Sequence, residues 1–321
     1  MKVLVTGGSG FIGSNYVIKS IMEYGDEVYN IDKMTYASNP FYLRDVQGES
    51  KYHFIKDDIN KIFAHENELK DVDAIINFSA ESHVDNSIRS PEKFIKTNIM
   101  GTFRLLEFAR IHDLRFHQIS TDEVFGSLPY GTEEKFTLET KYDPKNPYSA
   151  SKASADFFVR SFENTYGLKA TISNCSNNYG PYQHREKLIP HTILSVIDEK
   201  KIPIYGSGKQ IRDWIYVEDH CDAIHTVLLK GNIGSTYLIG SDEERTKIDV
   251  VKQILYLMKI TDENAQAQRI EYVQDRPGHD KHYGIDPSSI RSLGWKPRYG
   301  FKKGLERTVK HYLWYANKYR R

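Results

Sequence analysis

The sequence predicts an α/β fold, in which a doubly wound parallel sheet is followed by a smaller C-terminal α/β lobe. The 321 residues are 39% hydrophobic and 27% charged, which is enough apolar material for one large core or two modest ones. Short apolar runs alternate with helix-length amphipathic stretches over the first two thirds of the chain, as in βαβ units. No run of 18 apolar residues occurs, so no membrane-spanning helix is predicted.

Six short segments, apolar or β-branched and bounded by Gly, Asp or Asn, are predicted to be strands. They are Lys2–Thr6, Glu27–Ile31, Tyr52–Lys56, Ala74–Phe78, Phe116–Ser120 and Ala170–Asn174. Helices are predicted to begin near Gly10, Ile62, Pro91 and Pro147, and after Pro181 prolines and glycines interrupt the alternation. We therefore predict a sheet domain over residues 1–180 and a lobe over residues 181–321, with some of the later chain returning to the first domain.

Charge and cysteine content argue against several classes of function. Lys and Arg number 44 against 43 Asp and Glu, so a net charge of +1 provides no basic surface for a polyanion, and no nucleic-acid partner is expected. Cys175 and Cys221 are the two cysteines and have no companions at metal-ligand spacing, so neither a disulfide framework nor a metal site is predicted. The N-terminus runs directly into glycines without an export signal, and a cytoplasmic protein is expected.

A glycine turn follows the first predicted strand and opens a helix. Gly7 permits a tight turn there, Gly10 lets backbone amides approach a pyrophosphate, and Gly13 lets the helix pack against the strand. Asp32 ends the second strand, 19 residues after Gly13, where its carboxylate can accept both ribose hydroxyls. The pattern predicts a Rossmann-type dinucleotide site. The carboxylate would repel a 2′-phosphate and Lys33 beside it is a single cation, so NAD is favoured over NADP.

Two further segments carry candidate chemistry. Asp58 and Ile59 follow the third strand and could flank the adenine, although an Asp at a strand end is equally often a helix cap.

Tyr148 and Lys152 lie four residues apart and so share one face of a helix. A phenol with an ordinary pKa of about 10 is a poor base, but a nearby ammonium lowers that pKa, so Tyr148 could remove a hydroxyl proton as a hydride leaves the same carbon. The spacing alone is common on exposed helices; its place after five strands favours a catalytic pair.

An acid pair closes the fifth predicted strand, at the edge where open α/β sheets bind ligands. Asp122 and Glu123 could lie on either side of one substrate, one protonated and one ionised, which is the arrangement that an elimination of water requires. The alternative is that either acid merely caps the next segment. A plain dehydrogenase would not need such a pair.

Nine motifs occur in order along the chain. They are Gly7–Gly13, Asp32–Tyr36, Ala80–Asp85, Ser120–Val124, Tyr148–Lys152, Asn174–Pro181, Glu186–Pro190, Arg212–His220 and Asp275–Asp280. With them the chain resembles the extended short-chain dehydrogenase/reductase superfamily and, within it, the dTDP-glucose 4,6-dehydratases, from Lys2 to at least Trp295. The resemblance implies a redox-neutral dehydration of a nucleoside-diphosphate hexose, with NAD acting catalytically and remaining bound.

The resemblance also implies a role for each catalytic residue. Tyr148, with Lys152, would take the C4 hydroxyl proton while a hydride passes from C4 to NAD. Glu123 would then remove the acidified C5 proton, and Asp122 would protonate the departing C6 hydroxyl. The hydride returns to C6 and leaves a 4-keto-6-deoxy sugar, and Thr121 would hydrogen-bond O4.

By the same resemblance, two sets of residues line the ligands. Cofactor contacts are expected from Gly7, Gly10, Phe11, Ile12, Gly13, Asp32, Lys33, Met34, Thr35, Asp58, Ile59, Phe78, Ser79, Ala80, Glu81, Ser82, Thr97, Tyr148, Lys152 and Asn178. Substrate contacts are expected from Ser82, Thr121, Asn177, Lys187, Leu188, Pro203, Ile204, Tyr205, Arg212, Asp275, Arg276, Pro277, Gly278 and His279. Each has a plainer interpretation, since a single Arg is usually a surface charge and Asn177–Asn178 could be only a turn.

Two positions depart from the family pattern. Phe125 stands where the family usually has Tyr, which removes a hydroxyl beside the acids. In the segment Tyr237–Arg245 the family carries an asparagine thought to touch the nucleotide, and its nearest counterpart here is Glu243. No site is predicted there.

Two other functions are compatible with part of the pattern. A nucleotide-sugar 4-epimerase would share the glycine turn, Tyr148 and Lys152 without needing the acid pair. A non-catalytic regulator would be expected to have lost one of these residues.

Apolar residues occur on more than one face of the helices after Pro91 and Pro147. A homodimer through a four-helix bundle is therefore expected from the superfamily resemblance. We expect dTDP-glucose as the substrate, with UDP-glucose slower.

Overall fold

The computed structural model describes residues 1–275 and 280–319. Within these ranges the strands are β1 (Lys2–Thr6), β2 (Glu27–Ile31), β3 (Tyr52–Ile55), β4 (Ala74–Asn77), β5 (Arg115–Thr121), β6 (Ala170–Cys175), β7 (Asn177–Tyr179), β8 (Ile202–Tyr205), β9 (Ile211–Tyr216), β10 (Thr236–Ile239), β11 (Glu244–Thr246) and β12 (Ile270–Val273).

Helices cover both faces of the strands. They are α1 (Phe11–Met22), α2 (Glu66–Leu69), α3 (Val84–Arg89), α4 (Pro91–Phe94), α5 (Thr102–Ile111), α6 (Pro147–Tyr166), α7 (Leu188–Ile197), α8 (Val217–Lys230), α9 (Lys247–Leu257), α10 (Glu263–Arg269), α11 (Ser288–Arg291) and α12 (Phe301–Tyr319). Short 3₁₀ helices occupy Pro40–Leu43, Ile59–His65 and Asp122–Phe125, and a π-helical stretch, Ile95–Gly101, joins α4 to α5. No described helix is both long enough and apolar enough to span a bilayer.

The main sheet has seven strands in the order β10-β6-β5-β4-β1-β2-β3, and every pair in it is parallel. The predicted α/β fold with a doubly wound parallel sheet is confirmed. All six predicted strands are present, with ends that differ from the prediction by at most one residue. The seventh strand, β10, comes from the later part of the chain, because a run of only four residues between polar neighbours resembles a loop in sequence.

Alternating side chains place one apolar layer on each face of the sheet. Leu4 and Ile75 belong to a core that includes Leu105 of α5 and Phe162 of α6. Their neighbours along the same strands, such as Val3, belong to a second core built with α1 and α8. Because side chains alternate along a strand, continuous apolar runs mark strands that are buried on both sides.

The C-terminal lobe is built on two small sheets. Strands β7, β9 and β11 form one of them and β8 pairs with β12 in the other. A core that includes Tyr179, Trp214, Tyr216 and Phe301 fills the space between the first of these sheets and helices α7, α9 and α12. Strand β7 precedes residue 181 and β10 follows it, so the division at 180 stays a prediction.

Helix α6 has strong signals at both ends. The side chain of Asn146 accepts a hydrogen bond from the backbone N–H of Ser149, Ser149 Oγ accepts one from the N–H of Asn146, and Pro147 occupies the first helical position. Gly167 ends the helix with a φ of +69°, a conformation that glycine adopts without a steric penalty. The first two turns of α6 therefore start at a fixed place beside the end of β5.

Candidate active site

A cleft lies at the carboxyl edge of the seven-stranded sheet, where the ends of β1, β2, β4, β5 and β6 meet. Many of the predicted site residues line it: Gly7, Gly10, Phe11, Ile12, Gly13, Asp32, Lys33, Thr35, Asp58, Ile59, Phe78, Ser79, Ala80, Glu81, Ser82, Thr97, Thr121, Asp122, Glu123, Tyr148, Lys152, Asn177, Asn178 and Lys187. Parallel strands bring these distant segments together because their carboxyl ends share one edge of the sheet.

The turn between β1 and α1 forms a cradle with little side-chain bulk. Gly7 has a φ of +68°, and a Cβ added there would lie 2.9 Å from the backbone of Ser79. A Cβ added at Gly13 would lie 2.4 Å from the carbonyl oxygen of Gly7. Helix α1 begins after Gly10 with no side-chain cap and no acid in its first turn. Such a helix N-terminus stabilises negative charge, so the cradle fits the pyrophosphate of a dinucleotide.

The carboxylate of Asp32 is held in one orientation at the end of β2. It is almost completely buried, and one oxygen accepts a hydrogen bond of 3.1 Å from the backbone N–H of Ser9. The other oxygen accepts bonds of 2.8 Å from the backbone N–H of Met34 and from the hydroxyl of Ser38. A carboxylate with two oxygens fixed beside the glycine cradle is suited to accept the hydroxyls of a ribose. Met34 thus acts through its backbone and is absent from the cleft lining.

Lys33 is already engaged by its neighbours. Its ammonium donates a 3.0 Å hydrogen bond to Thr97 Oγ1 and lies 3.7 Å from the carboxylate of Asp58. Asp58 also caps the following 3₁₀ helix by accepting from the N–H of Asn60, so the capping interpretation holds alongside its place in the cleft.

The acid pair stands where β5 ends, in a 3₁₀ turn. Thr121 Oγ1 caps this turn by accepting from the backbone N–H of Glu123, and the Thr121 hydroxyl donates to one carboxylate oxygen of Asp122 at 3.2 Å. The other oxygen of Asp122 is buried and has no hydrogen-bond partner among the described residues. Burial first, and then the charge of Glu123, raises the pKa of Asp122 well above its ordinary value. Asp122 is therefore suited to stay protonated and to donate a proton.

Tyr148 and Lys152 lie on the first turns of α6 and both are almost completely buried. The ammonium of Lys152 donates a 2.6 Å hydrogen bond to the carbonyl of Ile119, and burial lowers the pKa of Lys152. Burial first, and then the charge of Glu123, raises the pKa of Tyr148 well above its ordinary value. The predicted lowering of the Tyr148 pKa by Lys152 is thus not found in the chain alone, because desolvation outweighs any effect of an ammonium whose hydrogen bond goes to a backbone carbonyl.

A buried polar network behind Tyr148 and Lys152 was missed by sequence reasoning. Asp156, one turn after Lys152, is fully buried and accepts hydrogen bonds from Ser120 Oγ at 2.6 Å and from the hydroxyl of Tyr142 at 3.0 Å. Its charge opposes the fall in the pKa of Lys152. Asn174 donates to the carbonyl of Thr121 at 3.1 Å and so ties the end of β6 to the acid turn. The spacing of Asp156 from Lys152 was the one available signal.

The strand β7 region supplies the opposite wall of the cleft. Asn177 Oδ1 is buried and has no hydrogen-bond partner among the described residues, which leaves an acceptor for a ligand. The side chain of Asn178 instead contacts protein, since its oxygen lies 2.9 Å from His220 Nδ1 and its amide donates to the carbonyl of Ser176 at 3.0 Å. Asn178 thus adjoins the cleft with its side chain already bonded.

Several predicted substrate residues do not line this cleft. Leu188 opens α7, and Pro203, Ile204 and Tyr205 lie in β8. Asp275 accepts a 3.1 Å hydrogen bond from Gln210. The guanidinium of Arg212 is buried over the ring of Tyr283 at 4.0 Å and donates to the carbonyls of Ile211 and Asp280, although its charge still lowers the pKa of Asp122. Arg276, Pro277, Gly278 and His279 lie outside the described residues.

The two positions that depart from the family pattern have structural contacts. The ring of Phe125 stacks on Phe136 with centroids 5.2 Å apart. Glu243 accepts from the backbone N–H of Phe301 at the start of α12 and pairs with Arg245 at 2.6 Å. These contacts give Glu243 a structural part in the lobe.

A group of histidines at the cleft was also missed. His83, in the segment after β4, lines the cleft, and Gln183 and His184, in the segment before α7, line it as well. Burial lowers the pKa of His83 to about 4. No regular spacing in the sequence joins these residues, since about a hundred positions separate His83 from His184.

Comparison with known proteins places these observations in a family. A family model described as GDP-mannose 4,6 dehydratase matches residues 4–308. A dTDP-glucose 4,6-dehydratase of Shigella flexneri is 48% identical, with 98% of this chain and 93% of that protein covered. The crystal structure of dTDP-glucose 4,6-dehydratase from Bacillus anthracis in complex with NAD is 41% identical, with a TM-score of 0.91 and coverage of 100% of this chain and 99% of that one. A Thermus thermophilus UDP-glucose 4-epimerase in complex with NAD is 25% identical, with a TM-score of 0.86 and coverage of 98% and 99%. The resemblance found in the sequence is confirmed, and the chain belongs to the dTDP-glucose 4,6-dehydratase family.

Proposed function

We propose that the chain is an NAD-dependent nucleotide-sugar 4,6-dehydratase that converts dTDP-glucose to dTDP-4-keto-6-deoxyglucose and water. The observation that carries this proposal is the acid pair, Asp122 and Glu123, in the same cleft as Tyr148 and Lys152. An epimerase needs the tyrosine and the lysine but has no step that requires two carboxyl groups. The greater similarity to dehydratases than to the epimerase supports the same choice.

NAD fits the glycine cradle and the carboxylate beside it. When bound, NAD would supply the hydride acceptor for C4 and the hydride donor for C6. Asp32 would accept the ribose hydroxyls and would disfavour a 2′-phosphate, while Lys33 is bonded to Thr97 and lies close to Asp58 rather than to an added phosphate. The dehydratase of Bacillus anthracis was crystallised with NAD, which supports the same cofactor here.

Tyr148 would accept the C4 hydroxyl proton and Thr121 would hold O4. Since burial raises the pKa of Tyr148 in the chain alone, the phenol needs additional positive charge before it can act as a base. The cationic nicotinamide of bound NAD would supply that charge, in addition to the ammonium of Lys152 that the chain already holds. Tyr148 is therefore expected to become a competent base only in the loaded cleft.

Asp122 and Glu123 would divide the elimination between them. Glu123 is only half-buried, so it is suited to take the C5 proton as a carboxylate. The raised pKa of Asp122 keeps its carboxyl group protonated, so it can donate to the departing C6 hydroxyl. The free buried oxygen of Asp122 is the atom that can take part in this transfer.

The C-terminal lobe, predicted over residues 181–321, would bind the nucleotide part of the substrate. Lys187 lines the cleft and offers a cation to the diphosphate, and Asn177 offers a buried acceptor. Leu188, Pro203–Tyr205, Arg212 and Asp275 remain proposed contacts on the resemblance, together with the segment 276–279. The cytoplasmic setting likewise remains a prediction from the sequence.

We further propose a homodimer formed through helices of the first domain. Ile95, Met100, Phe157 and Phe158 are large apolar side chains on the helices between Pro91 and Tyr166, and each is between 39% and 55% exposed. Such side chains on long neighbouring helices are typical of a surface covered by a second subunit. Four helices, two from each chain, would then pack together. Sedimentation should give a dimer at micromolar concentration, and a monomer there would overturn this part of the proposal.

The dehydratase proposal is tested by the mass of the product. Incubation of the purified chain with dTDP-glucose should yield a nucleotide sugar that has lost one water. A 4-epimerase would return an isomer of unchanged mass, and a binding protein would return the substrate. Either of these two results would overturn the proposal.

A further inference from the structure

Three side chains with metal-ligating atoms meet at the mouth of the cleft. They are His83, just before α3, and His184 and Glu186, just before α7; we refer to them as the His-His-Glu cluster. One ligating atom from each lies within 4.8 Å of the other two. The carboxylate of Glu186 lies 3.0 Å from His83 Nδ1 and 3.7 Å from His184 Nδ1. Within residues 1–275 and 280–319 this is the one such cluster found.

One ligating nitrogen of the His-His-Glu cluster lacks a hydrogen-bond partner among the described residues. His184 Nδ1 is shielded from water and has no hydrogen-bond partner among the described residues, since 3.7 Å to Glu186 is too long for a hydrogen bond. The imidazoles are also restrained. The ring of Tyr36 meets those of His83 and His184 edge-on, with centroids 5.5 and 6.0 Å away, and the Tyr36 hydroxyl donates to Glu81 at 3.2 Å.

We propose that His83, His184 and Glu186 bind one divalent transition-metal ion of the Zn²⁺ class at the mouth of the cleft. Two imidazole nitrogens and one carboxylate oxygen suit Zn²⁺, Co²⁺ and Ni²⁺, whereas Mg²⁺ prefers oxygen ligands. Ligands about 2.0–2.2 Å from a tetrahedral ion lie about 3.3–3.6 Å apart. The two carboxylate–imidazole distances, 3.0 and 3.7 Å, are already close to this range. The ligating atoms of the two imidazoles, which lie no more than 4.8 Å apart, would have to approach each other by about 1 Å or less.

The charges around the cluster limit its affinity. Arg185 and Lys187 flank Glu186 in the sequence, and the charges of both act on His184. Like charges disfavour a bound cation, so we expect an ion that exchanges readily rather than a permanent structural metal. A water molecule or a substrate phosphate would complete the coordination.

The ligands come from the two sides of the cleft, so a bound ion would affect access to it. His83 belongs to the segment after β4, and His184 and Glu186 belong to the segment that leads into α7. His83, His184 and Lys187 all line the cleft. An ion held between these segments ties them together beside Lys187 and should slow the exchange of substrate. This second consequence rests on the proposed dehydratase function, whereas binding of the ion does not.

Calorimetry tests the binding site without reference to activity. Metal-free wild-type chain titrated with Zn²⁺ should bind one ion per chain, and Co²⁺ should develop the visible absorption of a low-coordinate site. His184→Gln should weaken Zn²⁺ binding at least about tenfold, since loss of even an outer-sphere partner costs about 10- to 100-fold. Glu186→Gln should weaken it as well. His53→Gln is the matched control, because His53 lies 3.0 Å from Glu27 without a third ligand. Equal affinity in wild-type, His184→Gln and Glu186→Gln chains would overturn the proposal.

Steady-state rates test the effect on the cleft. Zn²⁺ should inhibit wild-type and His53→Gln chains over the concentrations at which calorimetry shows binding, and a chelator should restore the rate. His184→Gln, compared with its own metal-free rate, should need at least about tenfold more Zn²⁺. Mg²⁺ should have no inhibitory effect. Zn²⁺ bound at the cluster with no change in the rate would overturn the proposed closure, and an inactive metal-free chain would instead contradict the dehydratase function.

Discussion

Replacing Gly13 with alanine should separate the packing of the glycine turn from its contact with the cofactor. A Cβ at this position would lie 2.4 Å from the Gly7 carbonyl oxygen, 2.8 Å from Gly8 Cα and 3.0 Å from the Gly7 carbonyl carbon. All three are backbone atoms. The turn cannot easily move, because the N–H of Gly7 donates to Ile31 at 2.8 Å and the N–H of Gly10 donates to the carbonyl of Gly7 at 3.1 Å.

The expected loss follows from two opposing effects. Overpacking of this kind costs about 1–3 kcal/mol, and three backbone contacts place Gly13→Ala toward the upper end. Alanine in a helix recovers about 1 kcal/mol relative to glycine. We therefore expect Gly13→Ala to lower the free energy of unfolding of the cofactor-free chain by about 1–2 kcal/mol and to weaken NAD binding.

Gly10→Ala is the matched control. The backbone of Gly10 is extended, with a φ of −83°, and the nearest atom to an added Cβ is 3.3 Å away. The Gly10→Ala chain should lose less stability than the Gly13→Ala chain, because its single close contact, 3.3 Å from the Gly7 carbonyl oxygen, needs a shift of only a few tenths of an ångström. The added methyl should still weaken NAD binding, because Gly10 lines the cleft. Urea unfolding and equilibrium NAD titration measure the two quantities. Equal unfolding of Gly13→Ala and wild type would refute the packing argument.

Three further outcomes are expected. Asp156→Ala should lower the free energy of unfolding by about 2–4 kcal/mol, because the hydroxyls of Ser120 and Tyr142 both lose the carboxylate oxygen that accepts their hydrogen bonds. Asp156→Asn keeps one side-chain oxygen as an acceptor and should cost less than half as much in urea unfolding. Burial lowers the pKa of His117 and of His220 to about 3, whereas a histidine in the unfolded chain has a pKa of about 6.5. The unfolded chain therefore takes up protons first, and the free energy of unfolding should fall as the pH drops from about 6.5 toward about 3. In urea titrations His220→Asn should make that fall shallower by up to about 1.4 kcal/mol per pH unit, and an unchanged slope would contradict the assignment. A pocket that holds the thymine methyl should raise kcat/KM for dTDP-glucose over UDP-glucose, the methyl alone contributing about 1 kcal/mol, and a higher value for UDP-glucose would overturn the thymidine assignment.

The sequence predicts the first six strands well because each is a short apolar run with clear turn residues at its ends. Lys2–Thr6 and Glu27–Ile31 match the observed strands residue for residue. The turn at Asp122 is predicted for the same reason, since it follows directly from the end of β5. Local composition is informative wherever one strand and its following turn are continuous in the chain.

The remaining features depend on contacts between distant segments. β10 pairs with β6 although part of the lobe lies between them in the chain, and Tyr142 reaches Asp156 from a loop without regular structure. The high pKa of Tyr148 follows from its almost complete burial beside Glu123, which spacing along a helix does not reveal. His184 likewise meets His83 only because the lobe folds back over the cleft. No local pattern predicts these contacts.

Glu123→Gln under single-turnover conditions tests the division of labour in the acid pair most directly. The substitution keeps the size of the side chain and removes the base proposed for C5. With dTDP-glucose, the absorbance of NADH should rise and persist, and no 4-keto-6-deoxy product should form. Tyr148→Phe is the control, because it should block the oxidation and give no NADH signal. Normal product from Glu123→Gln, or no NADH signal from it while its NAD content stays normal, would contradict the assignment of Glu123 to the elimination.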